Sequence, residues 1–384
     1  MKERKICVVV TARPSYSRVK TLLSAIEEHS NLALQLVIAG SALLDRYGSI
    51  VDFIERDGFE ITERVFMVLE GENPTSMAKT TGLGVMELAN VFHKLQPDAV
   101  VTIADRFETI ATSIAASYQN IPLIHIQGGE VTGNIDEKVR HANTKLADLH
   151  FVSTEDALER VVHMGEDPDK VFNTGCPSID IAAKISQEPL GFDPIEKYGG
   201  VGETINWEKG YVVVMQHPVT TEYESAREDV LKTLEAVHEL GIPTFWFWPN
   251  VDAGSDGTSN GIRTFRELSK PKNIHFFKNM ESDDFLKLLV HSKCLIGNSS
   301  AGIRECSFLG VPVVNIGTRQ HRRQRGGNVV DVSYNKEKIK QAIQERMTLG
   351  RLSSESIYGD GLSGKRIADI IAKTPLTFYK TIRY

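Results

Sequence analysis

The sequence predicts an α/β protein made of two doubly wound domains with parallel sheets and a ligand cleft between them. Three observations carry this expectation. Short apolar runs alternate with longer amphipathic stretches from one end of the chain to the other, the rhythm of repeated βαβ units. The runs are β-branched and nearly continuous rather than alternating, as in strands covered on both faces. At 384 residues the chain exceeds what one hydrophobic core usually supports.

In chain order, strands are expected at 6–10, 33–39, 99–103, 122–126, 150–152 and 171–173, then at 211–215, 243–248, 274–277, 294–296 and 311–316. Between the first two, residues 19–28 carry Val19, Leu22, Leu23 and Ile26 at i, i+3, i+4 and i+7, so four apolar side chains share one helical face. Residues 77–95, 106–118, 226–240 and 283–291 read the same way. The stretch 187–209 holds two prolines and four glycines, lacks periodicity and ends at the fresh strand YVVVM. It is read as the linker between a domain of residues 1–186 and one of 210–362. Residues 363–384 begin as a helix expected to pack back on the N-terminal domain.

Composition narrows the function classes. Hydrophobic residues at 41% and charged residues at 24% are an ordinary globular balance. The formal charge of −6 opposes general nucleic-acid binding, which demands a basic face. No run approaches the ~20 apolar residues of a membrane span. The opening MKERKICVVV reads as a charged lead-in to a strand rather than a signal peptide. Cys7, Cys176, Cys294 and Cys306 are scattered without metal-ligand spacing, and a reducing cytoplasm is expected.

In open parallel sheets ligands bind beyond the carboxyl ends of the strands, and the chemically informative residues follow the expected strands. After the first comes TARPSYSR, with Arg13, Ser15 and Ser17 able to receive phosphate oxygens at a helix start; a capped helix with a surface arginine explains them equally well. Asp105-Arg106 ends the strand at 99–103. It suits acid/base chemistry and anion binding, or else a structural ion pair. The strand at 122–126 runs into HIQGGEVTGNIDEKVRH. There Gly128-Gly129 permits a tight turn, and Glu130, Asp136, Glu137, Arg140 and His141 crowd together. Asp136 and Arg140, four apart, share a helical face.

In the second half, His217 follows YVVVM, where it can donate to a phosphate or titrate. Asn250, Asp252 and Ser255 follow the next strand. The sharpest signal is CLIGNSSAGIRECSFLGVPVVNIGTRQ, read as strand, Gly-Asn-Ser-Ser, helix, strand, Gly-Thr-Arg. Ser299 and Ser300 suit a diphosphate at a helix N-terminus, Glu305 suits ribose hydroxyls, and Arg319 adds positive charge. A serine cap and a helix glutamate explain single residues but not the combination.

The set RPxYS, DRF, GGE with IDEKVRHA, QHPVTT, PNVDAGS, IGNSSAGIRE, NIGTRQ and the late IYGDG resembles the hydrolysing UDP-N-acetylglucosamine 2-epimerases, across essentially the whole chain. The resemblance is nearest to the sialic- and legionaminic-acid pathway branch and to the epimerase domain of the bifunctional epimerase/ManNAc kinase. It implies a glycosyltransferase-B-like pair of Rossmann-like domains, no metal or nicotinamide cofactor, and a homodimer or homotetramer. The implied partners are a UDP-sugar substrate and the UDP product, with no nucleic acid and no membrane. By motif correspondence, Asp105 and Asp136 are the acid/base pair, with Glu130 in the glycine turn beside them. Arg140 organises Asp136 or touches the sugar, and His217 steadies the diphosphate. Arg13, Ser17, Arg106, Asn250, Ser299, Ser300, Glu305 and Arg319 match UDP-binding positions.

Three positions depart from the family pattern. Gln127 stands where many relatives carry a catalytic glutamate, so that role is absent or moved, for instance to Glu130. The frequent HGD or LGD before the arginine is Ile103-Ala104-Asp105 here. Asp256 replaces the lysine that helps the bifunctional enzyme bind CMP-sialic acid, which implies no strong inhibition by that anion. Two other readings stay open at this level: the same reaction on UDP-2,4-diacetamido-2,4,6-trideoxyglucose, and a glycosyltransferase on the same fold.

Overall fold

A computed structural model describes residues 3–44, 50–70, 74–104, 106–131, 135–219, 222–249 and 255–383. The chain divides into two compact units, Met1–Asp180 with Tyr358–Tyr384, and Ile181–Ile357.

The first unit contains strands β1 (Arg4–Val10), β2 (Leu32–Ala39), β3 (Ile61–Val65), β4 (Ala99–Ile103), β5 (Leu123–Ile126), β6 (Leu149–Val152) and β7 (Val171–Asn173). They pair all parallel in the order β3-β2-β1-β4-β5-β6-β7. Alternate residues of β1 explain its unbroken apolar run. Ile6, Val8 and Val10 pack with Leu22, Leu23, Ile26 and Ile367, while Cys7 and Val9 pack with Leu88, Phe92 and Ala115. Both faces of the strand are covered, so neither set of side chains can be polar.

The second unit contains β8 (Val201–Gly202), β9 (Val212–Met215), β10 (Thr244–Phe247), β11 (Ile274–Phe277), β12 (Leu295–Gly297), β13 (Val313–Ile316) and β14 (Val329–Val332), in the order β14-β13-β12-β9-β10-β11-β8. Leaving aside the outermost strand of each, both sheets share the doubly wound order 3-2-1-4-5-6. The strand direction of travel reverses between β1 and β4 in the first and between β9 and β12 in the second. Phe245 and Phe277 face one core and Trp246 and Phe276 the other.

The stretch read as a linker has structure of its own. Asp193 caps the helix Pro194–Tyr198 by accepting from the N–H groups of Ile195 and Glu196, and β8 pairs antiparallel with β11. The C-terminal helix Ser363–Lys373 lies against Lys20–Glu27 within the first unit. A Cβ on Gly364 would sit 2.6 Å from the Thr21 carbonyl carbon, so only glycine allows this approach. The Asp180 carboxylate accepts from the N–H groups of Ser363 and Gly364 and from the Thr21 hydroxyl, at 2.8, 2.7 and 2.8 Å.

The following tail is anchored by charge. The buried Glu166 carboxylate receives Lys145 at 2.6 Å, His150 at 3.1 Å and Lys380 at 2.5 Å. Burial pushes its pKa up, but hydrogen bonds from His150, Lys145 and Lys380 outweigh this and hold it at about 2, below the ordinary 4.5. A carboxyl depressed on folding stabilises above its unfolded value, and that contribution fades as pH falls through the folded one. Stability should therefore decline between pH 4.5 and about 2. Glu166→Gln should lower the urea midpoint at pH 7 and flatten that acid limb, as denaturation curves across pH would record.

Candidate active site

At the carboxyl edge of the first sheet, two residues adopt a costly backbone conformation. Among the described residues, Gln96, Ala104, Asn120, Gln127, Lys270 and Arg322 are the non-glycines with positive φ. Gln96, Asn120 and Lys270 follow helix ends, where left-handed residues are usual. Ala104 (φ 58) and Gln127 (φ 66) instead terminate the neighbouring strands β4 and β5. Each costs about 1–3 kcal/mol and persists only where surrounding contacts over-determine it. Ala104 donates its N–H to the Ile126 carbonyl at 2.9 Å, and its own carbonyl accepts from His125 Nε2 at 3.0 Å. Gln127 donates its N–H to the Phe151 carbonyl at 2.8 Å and its side-chain amide to Cys176 Sγ at 2.8 Å. The Gln127 Oε1 is buried and meets no hydrogen-bond partner among the described residues.

The glycine turn comes next. A Cβ on Gly129, at φ 77, would lie 2.3 Å from the Ala157 carbonyl oxygen. The Gly129 carbonyl accepts from Arg160 at 2.9 Å. The turn thus presses against the helix Glu155–His163, whose Thr154 cap accepts from the Ala157 N–H. Glu130 is buried, and its carbonyl accepts from Arg140 Nη1 at 2.7 Å. Arg140, 1% exposed, projects from the helix Ile135–Leu146. A buried guanidinium must find acceptors, and one of them is the backbone of the turn. Asp136 sits half-buried in the first turn of the same helix, where its charge complements the helix dipole.

Asp105 lies outside the described residues. Arg106 precedes the helix Thr109–Tyr118 rather than starting it, and its Nε donates to the buried Glu108 at 3.0 Å. After β1, Arg13 opens a five-residue helix, Arg13–Ser17, with its guanidinium 5.4 Å from the Phe53 ring. Ser17 donates its hydroxyl to the Pro14 carbonyl at 3.1 Å.

In the second unit, one asparagine organises the switch point. Asn298, fully buried, accepts from the His217 N–H at 2.7 Å and donates to the His217 carbonyl at 2.8 Å. Its own carbonyl accepts from Arg319 at 3.2 Å and Gln320 at 2.9 Å. The loops after β9, β12 and β13 are thereby fixed together. Gly297, at φ 124, permits this: a Cβ there would lie 2.2 Å from the Met215 carbonyl oxygen. Gln216, His217, Glu222, Asp229 and Tyr334 line a small recess beside the clamp. Burial raises the Tyr334 phenol well above its ordinary pKa, so its hydroxyl stays protonated.

The helix after Gly-Asn-Ser-Ser differs from the sequence expectation. Ser299 is its cap, accepting from the Ala301 N–H at 3.3 Å. Ser300 begins a four-residue helix, Ser300–Ile303, which breaks at the buried Arg304 (φ −95, ψ −74). Glu305 starts a second short helix, Glu305–Leu309, and is half-buried. The single helix expected after Gly-Asn-Ser-Ser is thus two short ones, and the dipole at its start is correspondingly small. Asn250 and Asp252 lie outside the described residues, while Ser255 begins the helix Ser255–Ser269.

Asn298 and His125 were not singled out from sequence. Their signal is a polar residue inside or directly after an apolar strand, in LIGN and LIHI. Asn298→Ala should lower stability by about 1–3 kcal/mol, the cost of stranding buried backbone groups. It should also loosen the three loops that the clamp holds, which the loss of hydrogen-exchange protection after β9, β12 and β13 would record. Unchanged protection in all three loops would detach the clamp from their order.

A family model described as UDP-N-acetylglucosamine 2-epimerase matches residues 24–372. The chain is similar to the UDP-N,N'-diacetylbacillosamine 2-epimerase (hydrolyzing) of Legionella pneumophila, at 30% identity over 97% of each chain. It is equally similar to the UDP-N-acetylglucosamine 2-epimerase of Neisseria meningitidis serogroup B, at 30% identity over 96% of this chain and 95% of that one. Among solved structures, the UDP-GlcNAc 2-epimerase from Neisseria meningitidis bound to UDP-GlcNAc shares the fold. The TM-score is 0.79 at 20% identity, covering 96% of this chain and 100% of that one.

Proposed function

Since the chain belongs to the UDP-N-acetylglucosamine 2-epimerase family, we propose that it hydrolyses UDP-N-acetylglucosamine with inversion at C2, giving N-acetylmannosamine and UDP. The C2 proton of a sugar is weakly acidic, so its removal needs a positioned base and a stabilised leaving group. One carboxylate takes the C2 proton as the C1–O bond to UDP breaks, leaving 2-acetamidoglucal. Water then adds as hydroxyl to C1, giving its other proton to a basic group of the site, while the second acid/base group delivers a proton to the opposite face of C2.

Asp105 and Asp136 are assigned to these two steps. Arg140 holds the Glu130 turn, and Glu130 is a reserve acid/base group where Gln127 cannot act. His217 meets the departing diphosphate, with Ser299, Ser300 and Arg319. Arg13, Ser17, Arg106, Asn250 and Glu305 complete the UDP contacts. Fixed donors aimed at the leaving group act where charge develops.

The observation that most supports this reading is the strained Ala104 directly before Asp105, at the end of a strand next to the Gly128-Gly129-Glu130 turn. A second sugar, UDP-N,N'-diacetylbacillosamine, is favoured by the activity for which the Legionella relative is named. UDP release measured with each sugar, without any acceptor alcohol, separates them. The reading predicts greater kcat/KM for UDP-N-acetylglucosamine; preference for the diacetamido sugar overturns the substrate, and an acceptor requirement overturns the reaction. The product would enter sialic-type nonulosonic acid synthesis in the cytoplasm. The assembly is proposed as a homodimer or homotetramer, which light scattering checks.

A further inference from the structure

We infer that His125 is a positioning residue for the acid/base pair, holding the Ala104 carbonyl and the helix of Asp136 in one register. The inference rests on the assignment of Asp105 and Asp136 above. His125 lies in β5, LIHI, among Leu123, Ile124 and Ile126, and its side chain is fully buried. An imidazole in such surroundings is costly unless both ring nitrogens bond, and here they do. Nε2 lies 3.0 Å from the Ala104 carbonyl and Nδ1 lies 3.1 Å from Thr144 Oγ1.

The proton arrangement follows from the partners. A carbonyl only accepts, so Nε2 carries hydrogen. In the neutral ring Nδ1 is then an acceptor, and the single Thr144 hydroxyl proton is shared between it and the Arg140 carbonyl. That hydroxyl also lies 3.1 Å from the Arg140 carbonyl, one turn earlier on the helix Ile135–Leu146.

One end of this bridge holds the residue before Asp105 in the sequence, and the other holds the helix that carries Asp136. The Ala104 carbonyl and the Asp105 nitrogen belong to one planar peptide. The restraint therefore acts on the residue that directly precedes Asp105 in the sequence. Ala104 needs that restraint, because its left-handed φ of 58 is not part of a helix cap. Asn143 Nδ2, at 3.5 Å from the same carbonyl and 2.8 Å from Thr109 Oγ1, adds a weaker hold. At the other end, Thr144 lies about two helical turns from Asp136. A displacement of about 1 Å at either carboxylate is enough to cost on the order of a hundredfold in rate.

Two variants test the role. His125→Phe keeps a ring of similar size and removes both hydrogen bonds; His125→Gln keeps an N–H that can reach the Ala104 carbonyl. For His125→Phe we expect kcat to fall about 10- to 100-fold, with KM and UDP affinity within about threefold of wild type. His125→Gln should recover most of that loss. Wild-type-like kcat in His125→Phe overturns the role, as does a loss in His125→Gln as deep as in His125→Phe, which points to packing alone. If His125→Phe does not fold, His125→Gln and Thr144→Val decide: the glutamine variant should retain kcat, and the valine variant should lose it without losing UDP affinity. The opposite pattern overturns the proposal. Wild-type protein that releases no UDP from either sugar refutes the reaction assignment itself, and the positioning role with it.

Discussion

Asp136→Asn and Asp105→Asn should each lower kcat by about 10²- to 10⁴-fold, the usual scale for losing a general acid or base, while UDP affinity should stay within a few-fold. Asparagine preserves the shape of the side chain and abolishes only its ability to exchange a proton. The proposed reaction needs proton removal on one face of C2 and delivery on the other, so neither carboxylate can stand in for its partner. Loss of turnover with retained UDP binding, read by coupled UDP release and calorimetry, supports the pair. Wild-type-like turnover in either variant removes that residue from the acid/base role. Asp136 sits at the start of a helix tied through Arg140 to the Glu130 turn, so a small structural effect of its substitution should appear in the urea midpoint rather than in kcat.

The second large effect is on stability. Gly129→Ala puts a Cβ 2.3 Å from the Ala157 carbonyl oxygen, at a φ of 77. Left-handed backbone costs a non-glycine about 1–2 kcal/mol, and backbone oxygen cannot rotate away as a flexible side chain would. A total loss of about 3 kcal/mol or more is expected, in the range of severe core substitutions. Activity should fall with it, because the displaced turn holds Glu130. Gly82 provides the contrast. It lies in the helix Pro74–Leu95, and a methyl group added there would meet nothing within 4 Å, so Gly82→Ala should stabilise by about 0.5–1 kcal/mol. Urea midpoints of the two variants should therefore move in opposite directions.

The central strands were legible because burial on both faces writes continuous apolar runs, as in ICVVV and YVVVM. Of the edge strands only β7, expected at 171–173, was legible; the other three were not. ITERV of β3 alternates between half-buried and exposed, and VVDV of β14 is mostly half-buried, so neither leaves an unbroken signal. β8 is two exposed residues recognised only by its pairing with β11. The division after Asp180 falls inside the helix Pro177–Ile185, where composition gives no cue. The glycine-rich stretch 187–209 attracted the reading of a linker instead.

For the candidate site, residue types at strand ends could be read, but not the contacts that set them. Left-handed conformations at Ala104 and Gln127 arise from tertiary hydrogen bonds, which local propensity does not encode. The interruption at Arg304 is equally hidden within AGIRECSF. Arg106 and Ser17 matched phosphate-binding motifs, yet each also has a partner close by in sequence, Glu108 and Pro14 respectively. The resemblance to the family supplied the reaction that residue types alone left open.

Incubating the protein with UDP-N-acetylglucosamine in D2O, with no acceptor, and following the products by NMR bears most directly on the proposed chemistry. Elimination followed by hydration must yield free N-acetylmannosamine carrying deuterium at C2, released together with UDP. Recovery of unchanged UDP-sugar, or N-acetylmannosamine that retains its C2 proton, would contradict that reaction.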